Sequence, residues 1–188
     1  MNVYDFDNTI YDGESSFDFF IFCLKKDIRL ITFVFPVTKT LASYKLCKIS
    51  SEELRRRADK YMMKFLYCLD NPKDYIKQFW DKYEYKIKDF YIKQKRPDDV
   101  IISAGLEDFL EEICKRLDIK NLIATTADYE KKKITRICHS KNKVEIFRQI
   151  YGDAIIDEFY TDSKNDMPMV EIANKAYFVK KNKIVRYK

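Results

Sequence analysis

The chain has 188 residues, 46 % hydrophobic and 35 % charged, which suits one domain with a sizeable core or a domain carrying an insertion. Only 3 Gly and 4 Pro occur, which excludes a long flexible linker and argues against an all-β chain of frequent turns. The net charge of +6 favours anionic partners, although Lys-rich helical surfaces account for most of it.

Val3 to Phe6 reads as a short strand, and Asn8 to Gly13 as the loop that leaves it. Asp5 and Asp7 stand two apart at that strand end, where alternate side chains share a face. Two carboxylates aimed at one spot repel each other unless a cation lies between them or one keeps a proton. From Ser16 to about Phe90 the pattern is helical. Phe17, Phe20, Ile21 and Leu24 recur at helical spacing, and the apolar run Leu30 to Phe35 breaks at Pro36. Ser50 with Glu53 fits a capping box, and Asn71-Pro72 opens a helix through Trp80 to about Phe90. The Phe17, Phe19, Phe20 and Phe22 cluster and Trp80 read as packing between these helices. The alternative is an apolar wall offered to a lipid or isoprenoid phosphate.

After Pro97 strand and helix alternate, which argues for a parallel sheet wound with helices. Val100 to Ile102 is a buried-type strand ending at Ser103-Ala104-Gly105, followed by a helix to Leu117. Leu122 to Thr125 and Ile155 to Tyr160 are strands, with a helix from Lys143 to Ile150 between them. A short helix, Met167 to Ala173, precedes a last strand, Ala176 to Val179. The first strand must join this sheet, so the helical block is an insertion. The predicted domains are an α/β core of residues 1–13 and 98–188 and a helical cap of residues 14–97, with Gly13 and Pro97 as its hinge.

Open parallel sheets bind ligands beyond the carboxyl ends of their strands. Asp5, Asp7, Ser103, Lys143, Asp162 and Asp166 all fall at such ends or at a helix start. They supply oxygen ligands for a hard cation, a hydroxyl and a fixed positive charge, which is equipment for phosphoryl transfer. Asp5 can attack phosphorus, and Asp7 can protonate the leaving alcohol and then deprotonate water. Each residue alone has an ordinary structural explanation, an exposed turn for the Asp pair and a helix cap for Ser103. Their shared order and placement favour a site. His139 is the only histidine, which argues against a Ser-His-Asp triad or a His-ligated zinc.

Four motifs carry a resemblance: Asp5-Phe6-Asp7-Asn8-Thr9, Ile101-Ile102-Ser103-Ala104, Lys143 in Asn142-Lys143-Val144, and Asp162-Ser163-Lys164-Asn165-Asp166. In these the chain resembles the haloacid dehalogenase superfamily of phosphohydrolases, in the branch of phosphoserine phosphatase. The resemblance implies a parallel-sheet core with a helical cap, Asp5 as nucleophile and Asp7 as acid/base. It implies Mg²⁺ held by Asp5, Asp7 through its main-chain carbonyl, and Asp162, with Asp166 supporting. Asn8, Ser103, Ala104 and Lys143 would grip the phosphate, and Glu14 and Asn165 would meet the substrate. There are departures, since Thr161 and Ser163 stand where that branch carries Gly, narrowing the loop. Arg55, Arg56 and Arg57 compete for its carboxylate-binding Arg.

The expectation is a cytoplasmic, Mg²⁺-dependent phosphomonoesterase acting on a small anionic phosphorylated metabolite through an aspartyl-phosphate. A phosphotransferase on the same site and a phospho-accepting receiver-like domain are the alternatives. No base-reading motif accompanies the charge, so no nucleic-acid partner is expected. Scattered Cys23, Cys47, Cys68, Cys114 and Cys138, with no recognisable signal peptide, read as reduced thiols. The apolar stretch Leu30 to Val37 is too short to span a bilayer.

Overall fold

The computed structural model describes residues 1–131 and 133–188, and of these all side chains except those of residues 51, 52, 55 and 59. Among them the strands are β1 (Asn2–Tyr4), β2 (Val100–Leu106), β3 (Asn121–Asp128), β4 (Lys133–Arg136), β5 (Ile156–Thr161), β6 (Ala173–Lys180) and β7 (Lys183–Arg186). They form one sheet in the order β4-β3-β2-β1-β5-β6-β7. The five central strands are parallel, and β4 and β7 close the two edges as antiparallel partners. Cover on both faces explains the apolar run Val100-Ile101-Ile102 of β2, whereas β5 and β6 carry exposed polar residues near their starts.

Alternation along the strands sorts the core into two layers. Tyr4, Ile101 and Tyr160 face one cluster, and Val3, Val100, Ile102 and Phe159 face the other. On the second face α7 (Lys141–Tyr151) and α8 (Met167–Ile172) supply Phe147, Met169 and Val170. On the first, α6 (Glu107–Arg116) supplies Phe109, Leu110 and Ile113. The register puts Tyr4 opposite Tyr160 and Tyr160 opposite Tyr177, so three rings stack with centroids 4.7 and 4.8 Å apart.

Between β1 and β2 run α1 (Ser15–Lys26), α2 (Val34–Lys45), α3 (Ser51–Tyr67), α4 (Pro72–Tyr83) and α5 (Asp89–Gln94). Phe19 and Phe22 are buried with Phe79 and Trp80, as the aromatic spacing predicts, whereas Phe17 is exposed. Trp80 also donates its indole N–H to the Phe109 carbonyl at 2.9 Å, fastening α4 to α6. Tyr91 of α5 meets Tyr4 edge-on at 4.9 Å. One apolar cluster therefore continues from the sheet face through α6 into α1 and α4.

The structure revises three local expectations. Pro36 does not break its helix, because α2 begins at Val34 and Pro36 falls in the first turn, where a missing N–H has no partner to lose. Ser50 caps α3 through the Glu53 amide at 3.1 Å, but the Glu53 carboxylate turns to Arg56 and Arg57 rather than back to Ser50. The helix predicted to reach Phe90 ends at Tyr83. There Lys88 N donates to Ile10 O, and Asp12 N to Lys86 O, both at 2.8 Å. Pairing with the loop after β1 replaces further helical turns. The edge strands β4 and β7 were not anticipated.

Candidate active site

The chain turns sharply after β1, and this sets the site. The strand ends at Tyr4, two residues earlier than predicted, although the Asp5 amide still reaches the Tyr160 carbonyl at 2.9 Å. The Phe6 carbonyl then accepts from the amides of Thr9, Ile10 and Tyr11 at 3.0–3.2 Å. Asp5 and Asp7 are thus loop residues rather than neighbours on one strand face. Asn8 adopts φ 56°, a left-handed conformation that Asn tolerates better than most residues.

Asp5 is buried, and its Oδ1 accepts from Lys143 Nζ at 2.7 Å. Thr9 Oγ1 donates to its other oxygen at 3.3 Å. The Lys143 ammonium, 2 % exposed, also donates to Asp166 Oδ2 at 2.9 Å. One cation therefore joins β1's exit, the first turn of α7 and the loop after β5. Burial pushes the Asp5 carboxyl up, opposed by Lys143 and reinforced by Asp166. For Lys143 burial pulls the other way, but Asp5 and Asp166 outweigh it and hold the ammonium above its ordinary value. Ser140, just before α7, sits at φ 51°, unusual for a residue with a side chain and typical of backbone held by its surroundings.

Asp7 points elsewhere. Its Oδ1 accepts from the Ser15 amide at the start of α1, at 2.7 Å. Burial pushes its carboxyl up to about 7, even though Ser15 bonds favour the charged form. A carboxyl titrating there can exchange a proton near neutrality. Asp162, at the exposed mouth, is pushed up to about 6 by loss of solvent around its carboxylate and by Asp5 and Glu14. Asn8, Asp162 and Lys88 line a cavity of about 420 Å³ beside it.

The structure thus joins Asp5, Lys143 and Asp166 by direct contact. Asn8 Nδ2 donates to Glu14 Oε1 at 2.6 Å, so this pair stands together as well. Ser103 is buried in β2 where the register with β3 shifts, and its Oγ accepts from Gly105 N at 3.0 Å. Ala104 O accepts from Thr125 Oγ1 at 2.8 Å. Exposed Asn165 donates its amide to Ser163 Oγ at 3.2 Å. Arg56 and Arg57 are bound to Glu53 at 2.6–2.9 Å, and the Arg55 side chain lies outside the described residues.

Among the described residues no three His, Cys, Asp or Glu side chains form a ready cation cage. Asp5 and Asp166 already share Lys143. The donors near the mouth are nevertheless all oxygens, and Mg²⁺ is commonly held by one or two carboxylates with carbonyls and water completing the shell. The mutual repulsion of Asp5 and Asp162 is the charge pattern a hard cation relieves. The donor set fits Mg²⁺.

Residues 3–171 match the haloacid dehalogenase-like hydrolases. The chain belongs to this family. This haloacid dehalogenase-like hydrolase shares its fold with a protein of unknown function from Bordetella pertussis Tohama I, at TM-score 0.77 and 15 % identity, over 94 % of this chain and 87 % of that one. A family hydrolase from Salmonella enterica serovar Typhi aligns at TM-score 0.62 and 20 % identity, over 91 % and 58 %. A phosphoserine phosphohydrolase-like protein from Francisella tularensis SCHU S4 aligns at 0.56 and 20 %, over 94 % and 86 %. No curated protein matches the sequence.

Two residues matter more in this hydrolase than their sequence context suggests. Thr161 takes a position where Gly was expected, and the concern was lost room. Instead it is buried, donating to Asp166 Oδ2 at 2.8 Å and accepting from Ser163 N at 3.0 Å. The departure from Gly was the visible signal, and the hydroxyl is its explanation. Lys88 extends its ammonium to the Asn8 carbonyl, and burial lowers its pKa. Nothing in a run containing Lys82, Lys86, Lys93 and Lys95 singles it out.

Proposed function

We propose that this hydrolase is a phosphomonoesterase working through an aspartyl-phosphate. The observation that carries the reading is the buried Lys143 ammonium held 2.7 Å from Asp5 and 2.9 Å from Asp166; two residues along the chain from Asp5, the Asp7 carboxyl is pushed up to about 7. The family match and the Francisella relative's phosphohydrolase-like fold support the same chemistry.

In the first step an Asp5 carboxylate oxygen attacks phosphorus and the bond from phosphorus to the ester oxygen breaks. The Asp7 carboxyl gives its proton to the departing alkoxide, releasing an alcohol. In the second step water attacks phosphorus, Asp7 takes its proton, and the bond to the Asp5 oxygen breaks, returning the carboxylate. Lys143 keeps its charge throughout, orients Asp5 and stabilises negative charge gathering on the phosphoryl oxygens. The Ser103 hydroxyl is the donor assigned to the phosphate, since the Asn8 amide is committed to the Gly13 carbonyl at 2.9 Å and the Thr9 amide to that of Phe6. Asp5, Asp162 and the Asp7 carbonyl would hold Mg²⁺, with Asp166 bracing Lys143; when bound, the ion neutralises phosphate oxygens. Residues 14–97 would act as the cap that chooses the substrate.

Asp5→Asn tests the mechanism. The variant keeps shape and loses the nucleophile, so hydrolysis of p-nitrophenyl phosphate should fall to background while its circular dichroism matches that of the parent. Full turnover by a folded variant would refute the reading.

A further inference from the structure

A cavity of about 210 Å³ opens between α1, α2 and α3. Its walls include Phe17, Phe20, Phe33, Leu41, Met62 and Phe65. Ser16, Thr40 and Tyr61 are the only polar residues lining it among those described, and the Thr40 hydroxyl is already committed to the Pro36 carbonyl at 2.8 Å. Folded interiors hold few voids larger than a water molecule. This one is also open to solvent, since Phe17 is 52 % and Leu41 41 % exposed at its edge. An apolar hollow with little hydrogen-bonding capacity accepts an apolar guest and rejects a charged one, whose desolvation nothing would offset.

Its position relative to the reaction says which part of a substrate would enter. Ser16 lines the cavity, and the preceding Ser15 donates its amide to Asp7 Oδ1 at 2.7 Å. Asp7 is the group that hands a proton to the leaving oxygen in the mechanism proposed above. The first turn of α1 thus carries both the contact to Asp7 and one wall of the cavity. From this continuity we infer that the substrate is a phosphomonoester of an apolar alcohol, alkyl or isoprenoid in character, whose chain enters the cap cavity from Asp7. The inference rests on the phosphomonoesterase reading for its orientation. An apolar cavity of about 150 Å³ takes up benzene. A space of about 210 Å³ thus seats a short alkyl segment or one ring, and a longer chain would leave past Phe17 and Leu41. A phosphoserine-like head, with an ammonium and a carboxylate, finds no counter-charge among the described residues of these walls.

The test is a chain-length series of methyl, butyl, hexyl and octyl phosphate, assayed with Mg²⁺ below micelle formation. Each methylene buried should raise kcat/KM about three- to fourfold until the cavity is full. Ala58→Phe, which fills the space from α3, and Leu41→Asp, which charges its edge, should each pull the octyl-to-methyl ratio toward one. Because the readout is a ratio, a change in total active protein does not move it. Calorimetric binding of octylphosphonate against methylphosphonate gives a second measure that needs no turnover, and the octyl compound should bind at least tenfold more tightly. Hydrolysis of every ester at one kcat/KM would overturn the apolar assignment and leave the phosphatase reading intact. Hydrolysis of none would remove the phosphatase reading, and the phosphonate ratio would then decide the cavity's role: a ratio near one sinks the inference, and a large ratio abolished by Ala58→Phe supports it.

Discussion

Lys143 is the residue on which the site's electrostatics turn. Its ammonium is enclosed with two carboxylates at 2.7 and 2.9 Å, so removing it leaves buried negative charge without compensation. Lys143→Met should cost the metal-free protein roughly 3–5 kcal/mol at neutral pH. For a chain of this size that lowers Tm by roughly 6–20 °C, and an unchanged melting curve would contradict the ion-pair account. Asp7 makes the opposite case. Its carboxyl is pushed up from 3.8 to about 7 by burial, so the folded state holds that proton more tightly than the unfolded one. Ionising it costs stability progressively between about pH 4 and pH 7, and the whole cost is present above that window. Asp7→Asn should therefore stabilise the metal-free protein at pH 8, by roughly 1–3 kcal/mol, while giving nothing at pH 4. Calorimetric scans of both proteins at the two pH values check it; a destabilised variant at pH 8 would mean that the charge is fully satisfied by Ser15. Asp5, Lys143 and Asp166 were legible because each follows a strand or opens a helix within a short stretch of sequence. Lys88 was not, because it neither follows an expected strand nor opens an expected helix, and Lys82, Lys86, Lys93 and Lys95 stand nearby.

At the level of elements, what the sequence reveals depends on where the stabilising contacts lie. Buried strand segments announce themselves as apolar runs, as Val100 to Ile102 of β2 and Leu122 to Ala124 of β3 do, while β5 and β6 show only the shorter segments Phe159-Tyr160 and Ala176 to Val179 between charged residues. The edges β4 and β7 are not legible in this way, because Lys133 to Arg136 and Lys183 to Arg186 carry charges at both ends and β7 is exposed throughout. Their strand character comes from pairing with β3 and β6. Likewise α4 ends at Tyr83, and five residues on Lys88 pairs with Ile10, a contact absent from local propensity. The junction of α4 with α6 depends on one polar atom in an aromatic contact. Trp80 is wholly buried, with Phe79 and Phe109 around it and its indole N–H on the Phe109 carbonyl at 2.9 Å. Trp80→Phe keeps an aromatic ring and removes the donor. It should cost roughly 1–3 kcal/mol, the penalty of an unpaired buried carbonyl together with a small cavity. Urea unfolding with an unchanged slope and a lowered midpoint is the expected result; an unmoved midpoint would show that the hydrogen bond contributes nothing net.

For the molecule as a whole, the inserted helices raise the question of whether they fold as a separate body. Gly13 and Pro97 were natural hinge positions, yet the structure ties the insertion down well inside them. Lys88 N to Ile10 O and Asp12 N to Lys86 O join its exit to the loop after β1. Apolar packing agrees, since a single cluster contains Tyr4 and Ile101 of the sheet, Phe109 of α6, and Phe19, Phe79 and Phe65 of the insertion. Phe19 and Phe79 both lie within 5.5 Å, centroid to centroid, of Phe109. Freeing the helical block would expose those shared rings on both sides, at roughly 25 cal/mol for each Å² uncovered. Such a cost couples the two parts, so heating should produce one calorimetric transition, with van't Hoff and calorimetric enthalpies equal. Any independent motion should be confined to α2, which carries exposed Phe35 and Leu41, because α3 adds Phe65 and Leu66 to the shared cluster. Native-state hydrogen exchange should then find α1 and α4 protected as well as the central strands, and α2 opening at lower free energy. Two separate heat-absorption peaks, with α1 and α4 exchanging early, would show instead that the insertion is its own cooperative unit and that the continuous core does not bind it to the sheet.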